Sequence, residues 1–402
     1  MDLIKCSKNT MLMYMKRLKV SMLGHAAKLI AMIMMYSCSG NKLEPVPNLI
    51  FNYKDTVAID DANLADYLHL DRAIVLETTN ESLISNIRKI IIRDDYIFIL
   101  TWGSSTIFIF DSNGLFINRI ESIGKGPGEY IQIVDFDIDI SNNLWLYDQQ
   151  LKSFYIYDIE GNSLDVLELA LTFESFCIVE DSLILGYSFL NFNPNYCNSN
   201  YSLWLMTLKG KILNGFLQVP ESSLGFSLGL ASSINNNNGS ITICPFTSDT
   251  IYKFDSSTNQ VFPAFFLDFG NSSFPADYLY QNKHDIMENL NHSCIAYGSY
   301  FGKTCFITNL YKKQERKRMI AIYDFLTNNS VISNKLIFHN EANNLPLSAD
   351  FQSIDYSGNG FVCIVQLIDQ DGLIKQDNSI FPDDYSIDDN PIIVIFTEHK
   401  NR

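Results

Sequence analysis

A chain of 402 residues could hold two or three average domains, but closed β folds and repeat architectures often run past about 250 residues as one unit, so length does not force a split. Apolar residues make up 47% and aromatic residues 13%, with 28 Phe and 21 Tyr, a profile that suits pleated, half-buried surfaces and argues against a bundle of long helices. Formal net charge is −16; six Lys/Arg and one Asp fall in the first 38 residues, leaving 23 basic against 44 acidic side chains in the rest, a surface that repels phosphate backbones and so argues against nucleic acid and for a neutral or cationic ligand.

Residues 1–38 combine Lys16, Arg17, Lys19 and Lys28 with an apolar run from Leu29 to Tyr36, followed by Ser37-Cys38-Ser39-Gly40. The run is far shorter than the roughly 20 residues that span a bilayer, which reads as a signal peptide rather than a membrane helix. The order basic, apolar, small, cysteine resembles a lipobox, with Cys38 as the acylated residue. Met35 and Tyr36 depart from the usual pattern, so an ordinary cleaved signal or a membrane-held helix stays open. Residues 39–72 read as a linker and lead-in, and 73–402 as the domain.

Ala73–Glu77 is an orphan strand. After it, one phrase recurs: an apolar strand, a polar turn, a second strand ending in aromatic-Asp, a Gly-containing turn and a further strand. The first copy runs Tyr96–Leu100, Thr106–Phe110, Asp111-Ser-Asn-Gly114, Leu115–Ile120; the second runs Leu144–Tyr147, Phe154–Tyr157, Asp158-Ile-Glu-Gly161, Leu164–Leu169. Looser copies pair Leu183–Tyr187 with Leu203–Thr207, Ile241–Cys244 with Ile251–Phe254, Phe306–Leu310 with Met319–Tyr323, and Phe361–Gln366 with Ile392–Phe396. Four strands per roughly 45–50 residues is the period of a propeller blade. The fold class expected is all-β: a six-bladed β-propeller of four-stranded antiparallel blades, its last blade closed by the N-terminal strand near residue 75.

The run Ile123-Gly-Lys-Gly-Pro-Gly-Glu-Tyr130 lies between the last strand of blade one and the first of blade two. With Phe110–Phe116, Phe136-Asp137-Ile138-Asp139 and Asn390–Ile395, it resembles the signature of the six-bladed propeller lipoproteins of Bacteroides-type bacteria, relatives of NHL-repeat propellers. That resemblance implies an outer-membrane lipoprotein and leaves function open. Gly124, Gly126 and Gly128 free the backbone at the crossing to the next blade, Pro127 stiffens it, and with Glu129 and Tyr130 they read as structural; a phosphate loop is disfavoured because no Gly-Lys-Ser/Thr follows.

Three insertions could carry chemistry. The loop 189–204 holds Phe192, Tyr196, Tyr201 and Trp204 among Asn and Ser residues, a mixture suited to sugar binding or, more simply, to packing on its own blade. Between blades four and five, Ala276–Leu290 reads as a helix carrying His284, with His292 eight residues on; the pair lacks a third metal ligand. Lys312–Arg318 is a basic cluster at a hairpin tip, most simply solvated. The acidic stretch Asp383–Asp389 lacks the spacing of a calcium loop, so no cofactor is expected, with calcium a minor alternative. Mature-chain cysteines show no metal pattern; Cys294 with Cys305 is the disulfide candidate, whereas Cys244 and Cys363 lie in apolar runs and read as buried.

The function expected is a monomeric envelope lipoprotein, periplasmic or surface facing. It would be held to the membrane by its lipid and bind a glycan, a peptide or an envelope protein through a propeller face. The alternative is a propeller lyase or hydrolase acting on a sugar or peptide; no Ser/His/Asp order or nucleophile elbow singles out catalytic residues.

Overall fold

The middle strands of the blades run largely apolar because each blade is packed on both faces there, and the two-residue period of a strand divides its side chains between two seams. Ile97 and Ile99 face the seam with blade six while Phe98 and Leu100 face blade two. Phe154 and Ile156 likewise face blade three, and Tyr155 and Tyr157 face blade one. Six buried apolar clusters result, one at each seam, including the seam between blades six and one.

The structure, a computed structural model, divides the chain into Met1–Val46, which lies outside the described residues, and Pro47–Arg402. Within the latter it describes most of residues 49–399, except chiefly 190–192, 194–198, 222–233, 278–282, 341–343, 348–351, 354–359 and 366–379. The lead-in supplies β1 (Leu49–Asn52), β2 (Val57–Asn63) and β3 (Leu68–Val75). Blade one is β4 (Ile87–Arg93), β5 (Tyr96–Thr101), β6 (Ile107–Asp111) and β7 (Phe116–Ile120). Blade two is β8 (Ile133–Ile138), β9 (Leu144–Asp148), β10 (Ser153–Tyr157) and β11 (Ser163–Glu168). Blade three is β12 (Ser175–Val179), β13 (Leu183–Tyr187), β14 (Asn200–Thr207) and β15 (Ile212–Val219). Blade four is β16 (Ile234–Asn237), β17 (Ser240–Ile243), β18 (Thr250–Asp255) and β19 (Gln260–Asp268). Blade five is β20 (Cys294–Phe301), β21 (Cys305–Lys312), β22 (Lys317–Asp324) and β23 (Asn329–His339), with β24 (Asn344–Leu347) attached to β23. Blade six is β25 (Gln352–Ser353), β26 (Gly360–Val365) and β27 (Ile392–Glu398), completed by β3.

The chain is thus a six-bladed β-propeller, as its repeat implies, and β3 closes the last blade by antiparallel pairing with β27, Val75 opposite Ile392. That strand starts at Leu68 rather than Ala73. Asn390, wholly buried, fastens the closure: it accepts from the Ile84 amide and donates to the Glu77 and Ser82 carbonyls. The lead-in before it is also part of the sheets. β1 pairs in parallel with β19 and β2 in parallel with β23, so residues 49–75 step along the outer edges of blades four, five and six.

The aromatic-Asp phrase has a mechanical basis. Phe110 and Tyr157 fill seams, while Asp111 accepts from the amides of Leu115 and Asn113 and Asp158 from the side chain and the backbone amide of Asn162, closing the turn. These hydrogen bonds hold both carboxyls below the usual carboxylate range. Gly114, at φ +91°, lies so close to the Val75 carbonyl that any side chain would collide with it.

One expectation is corrected: Cys294 and Cys305 are both buried and in no disulfide, because they sit at different registers of one hairpin, Cys294 opposite Lys312. The helical insertion expected between blades four and five is present as α1 (Lys283–His292), which overlaps the expected Ala276–Leu290; residues 276 and 278–282 lie outside the described residues. Ile286 and Leu290 of α1 pack into the seam of blades three and four.

Candidate functional site

At the axis, first strands of neighbouring blades meet side by side without pairing, which leaves their backbone groups to be satisfied by side chains. The side chains present have the required reach. Lys89 of β4 donates to the Phe136 carbonyl and to Asp135, both on β8, and Arg93 donates to the Ile138 carbonyl. Asp135 and Asp137 of β8 then accept from the Phe176 and Ile178 amides of β12. From blade four, Asn236 donates to the Ile178 carbonyl, and Asn235 and Asn237 to the Ser299 and Phe301 carbonyls of β20. A ring of latches therefore runs from blade one to blade five.

The latches of blades one to three are charged, Arg93, Asp135 and Asp137 buried and Lys89 half-buried, and their titration reflects it. Desolvation pushes the Asp137 carboxyl up to about 6, against the pull of the Lys89 ammonium and the Ile178 and Ile138 amides. Burial alone would lower Lys89, but Asp135 and Asp137 together outweigh it and leave the ammonium above its ordinary value. The ion pair is 2.8 Å long.

Above this pair lies a second cation. Lys89 pairs with Leu100 and Ile87 with Thr101, so Arg88 is the extra residue of a β-bulge. Neighbours in a regular strand point to opposite faces; the bulge lets Arg88 and Lys89 both sense Asp135. Arg88 is also drawn towards Glu174, which immediately precedes β12, and burial lowers its pKa against both carboxylates. Its guanidinium lies 4.2 Å from the ring centroid of Trp102. Trp102 sits in the β5–β6 loop, its amide bonded to the Asn86 carbonyl at the entry to β4. In an antiparallel blade this loop shares a rim with the blade-to-blade crossings, so the indole stands at the mouth of the axis. It is 44% exposed, whereas Trp145 and Trp204 are buried. A flat, partly exposed ring with a cation packed on it can act as a stacking platform.

The sequence pointed elsewhere. Trp204 is wholly buried, its Nε1 donating to Ser188, so in this structure it offers no face to a ligand. Tyr201 packs edge-on against Trp204 and lies over Gly215. Phe192 and Tyr196, like Cys38, lie outside the described residues. The glycine motif is folded on itself: Glu129 accepts from the Gly126 amide and fills the space beside Gly124, and Gly128 takes φ +78° while its carbonyl accepts from Tyr157. Tyr130 is buried, donating to the Ser105 and Ile120 carbonyls, and Pro127 stands in the turn between. His284 is exposed, and His292 meets Gln314. Lys312–Arg318 lies where expected, spanning the β21–β22 tip. Part of Asp383–Asp389 lies outside the described residues. Among the described residues no cluster of His, Cys, Asp and Glu could hold a metal ion, and no helix is long and apolar enough to cross a membrane. Trp102 went unmarked because a loop tryptophan has no repeat to flag it; its place in a Thr-Trp-Gly turn between two apolar strands was the available signal.

A family model described as a domain of unknown function, DUF4934, matches residues 50–397. Among solved structures, a protein of Bacteroides fragilis described as exported is similar at 19% identity and a TM-score of 0.68, over 86% of this chain and 99% of that one. A member of the DUF4221 family from Bacteroides vulgatus is similar at 10% identity and a TM-score of 0.48, over 82% and 97% of the two chains. At such identities the likeness concerns the fold alone. No curated protein matches.

Proposed function

The chain belongs to the DUF4934 family, and on that premise we propose that it is an exported, lipid-anchored binding module that holds a neutral glycan at the mouth of its propeller axis. The reading rests on one observation: an exposed indole, Trp102, fixed on the Arg88 guanidinium where three blades converge. The cation already occupies one face of the ring quadrupole, which disfavours a second cation on the other. Arg88 and Lys89 are faced by three carboxylates, Asp135, Asp137 and Glu174, so these groups leave no surplus of positive charge to reward an anionic ligand. The C–H face of a sugar ring suits such a surface, with Gln132 and Gln150, hydrogen-bonded to each other on the same rim, as amide partners.

Export and anchoring are supported by the basic-apolar-cysteine leader ending at Cys38 and by the exported description of the Bacteroides fragilis protein. The kinship with NHL-like propeller lipoproteins rests on the Ile123–Tyr130 and Asn390–Ile395 motifs. In cells fed an alkyne fatty acid, the native chain takes up label and Cys38→Ser does not.

Because two of the three tryptophans are buried, a ligand-induced change in intrinsic fluorescence is expected to come chiefly from Trp102. Titration with uncharged tetrasaccharides of hexose and N-acetylhexosamine is expected to give a saturable change for at least one sugar. Trp102→Ala should weaken its binding by about 30-fold, the ~2 kcal/mol of an aromatic hot spot. Flat titrations across the panel, or binding indifferent to Trp102→Ala, contradict the reading.

A further inference from the structure

A separate cleft of about 670 Å³ opens between the lead-in and blade five, lined among others by Asp55, Val57, Asp66, Tyr67, Tyr323 and Asn328. It is of the size that small ligands and single peptide side chains occupy. None of its lining residues is Lys, Arg or His, while Asp55, Asp66 and Asp324 all contribute to it. Asp324 is committed to its turn, accepting from the Leu326 and Thr327 amides; Asp55, which accepts from the Asn52 side chain through one carboxylate oxygen, and Asp66 stand exposed. The carboxylates do not converge as a metal cluster. The lining therefore selects a cationic organic group rather than an anion or a bare divalent ion.

The cleft runs into a strand edge. Val57, which lines it and is 59% exposed, is the first residue of β2, and β2 is the outermost strand of its sheet, paired on one side only among the described residues. Asp60 and Asp61 are exposed along that edge; Asp61 faces Lys335 of β23 at 3.5 Å, and Asp60 adds a further carboxylate. An unpaired edge accepts an extended chain through its backbone groups, and acidic flanks choose a basic one. We infer that this edge and cleft form a docking site for an extended, lysine-bearing segment of a partner protein, added alongside β2 with one ammonium seated between Asp55 and Asp66. The site is independent of the axis mouth, and either can fail without the other.

The test uses the mature protein and a fluorescein-labelled octapeptide of alternating lysine and threonine, read by anisotropy. Asp55→Asn/Asp66→Asn, both exposed positions, is expected to weaken binding by about 10-fold, and a peptide N-methylated at alternate backbone nitrogens should weaken comparably. The charge-matched control Glu160→Gln/Asp165→Asn on blade two should change it less than about 2-fold. Equal loss in the control pair reduces the effect to bulk charge and overturns the proposal, as does absence of peptide binding. If a glucosamine tetramer binds through Asp55 and Asp66 while the peptide does not, the cleft takes an amino sugar and the protein-partner assignment falls.

Discussion

Blades one to three and blades four and five solve the same problem from opposite sides. In the first group, neighbouring sheets are joined at the axis by charged side chains, Lys89, Arg93, Asp135 and Asp137, each seated on a backbone group of the next blade. Their outer strands, such as β11, are exposed. In the second group the axial latches are neutral amides, and the outer edges carry an extra parallel strand from the lead-in. Buried charge gives directional, all-or-none joints that hold Arg88 and Trp102 in place; a belt strand adds apolar cover, as Phe51 does in the seam of blades four and five. A binding platform is therefore expected on the charged side and a docking edge on the belted side.

The largest effect that could break this contrast is Lys89→Met, which removes the ammonium that pairs with the buried Asp135 and offsets the buried Asp137. A loss of about 3–5 kcal/mol in denaturant unfolding is expected, with weaker sugar binding at the mouth. Phe51→Ala should cost about 3 kcal/mol by opening a cavity in the belted half while leaving sugar binding unchanged. If both variants impair sugar binding equally, the two halves are not distinct.

Asp137→Asn sharpens the comparison through pH. The folded carboxyl ionises near 6, above its usual value near 3.8, so its contribution to stability is fully present below about 4 and is lost as pH rises through about 6. The native chain should thus gain on the variant as pH falls from 7 to 4, by roughly 2 kcal/mol; parallel stability curves would contradict the assignment. Smallest is Asn236→Ala, which removes one neutral latch to the Ile178 carbonyl and is expected to cost about 1 kcal/mol in thermal unfolding.

The ring was legible in the sequence because its cause is periodic. Phe110-Asp111 and Tyr157-Asp158 repeat a seam residue followed by a turn cap, and Asn390 and the strand near residue 75 mark the closure. The belt was not legible: β1 and β2 are short, match no blade phrase, and pair in parallel with strands some 200 residues and more away. The platform was hidden for another reason. Arg88 and Trp102 meet only because a bulge re-aims one side chain and a loop returns the other, and neither event leaves a spacing. For Trp204 the simpler of the two readings, packing on its own blade, is the one the structure shows; aromatic residues beside a polar loop look alike in sequence whether they face the core or the solvent.

Hydrogen–deuterium exchange of the native chain and Lys89→Met, mapped by peptide, tests the two-sided architecture most directly. Faster exchange confined to β4, β8 and β12, with β18, β19, β22 and β23 unchanged, is the result expected of a ring latched from within on one side and belted on the other. Uniform acceleration around all six blades would contradict it.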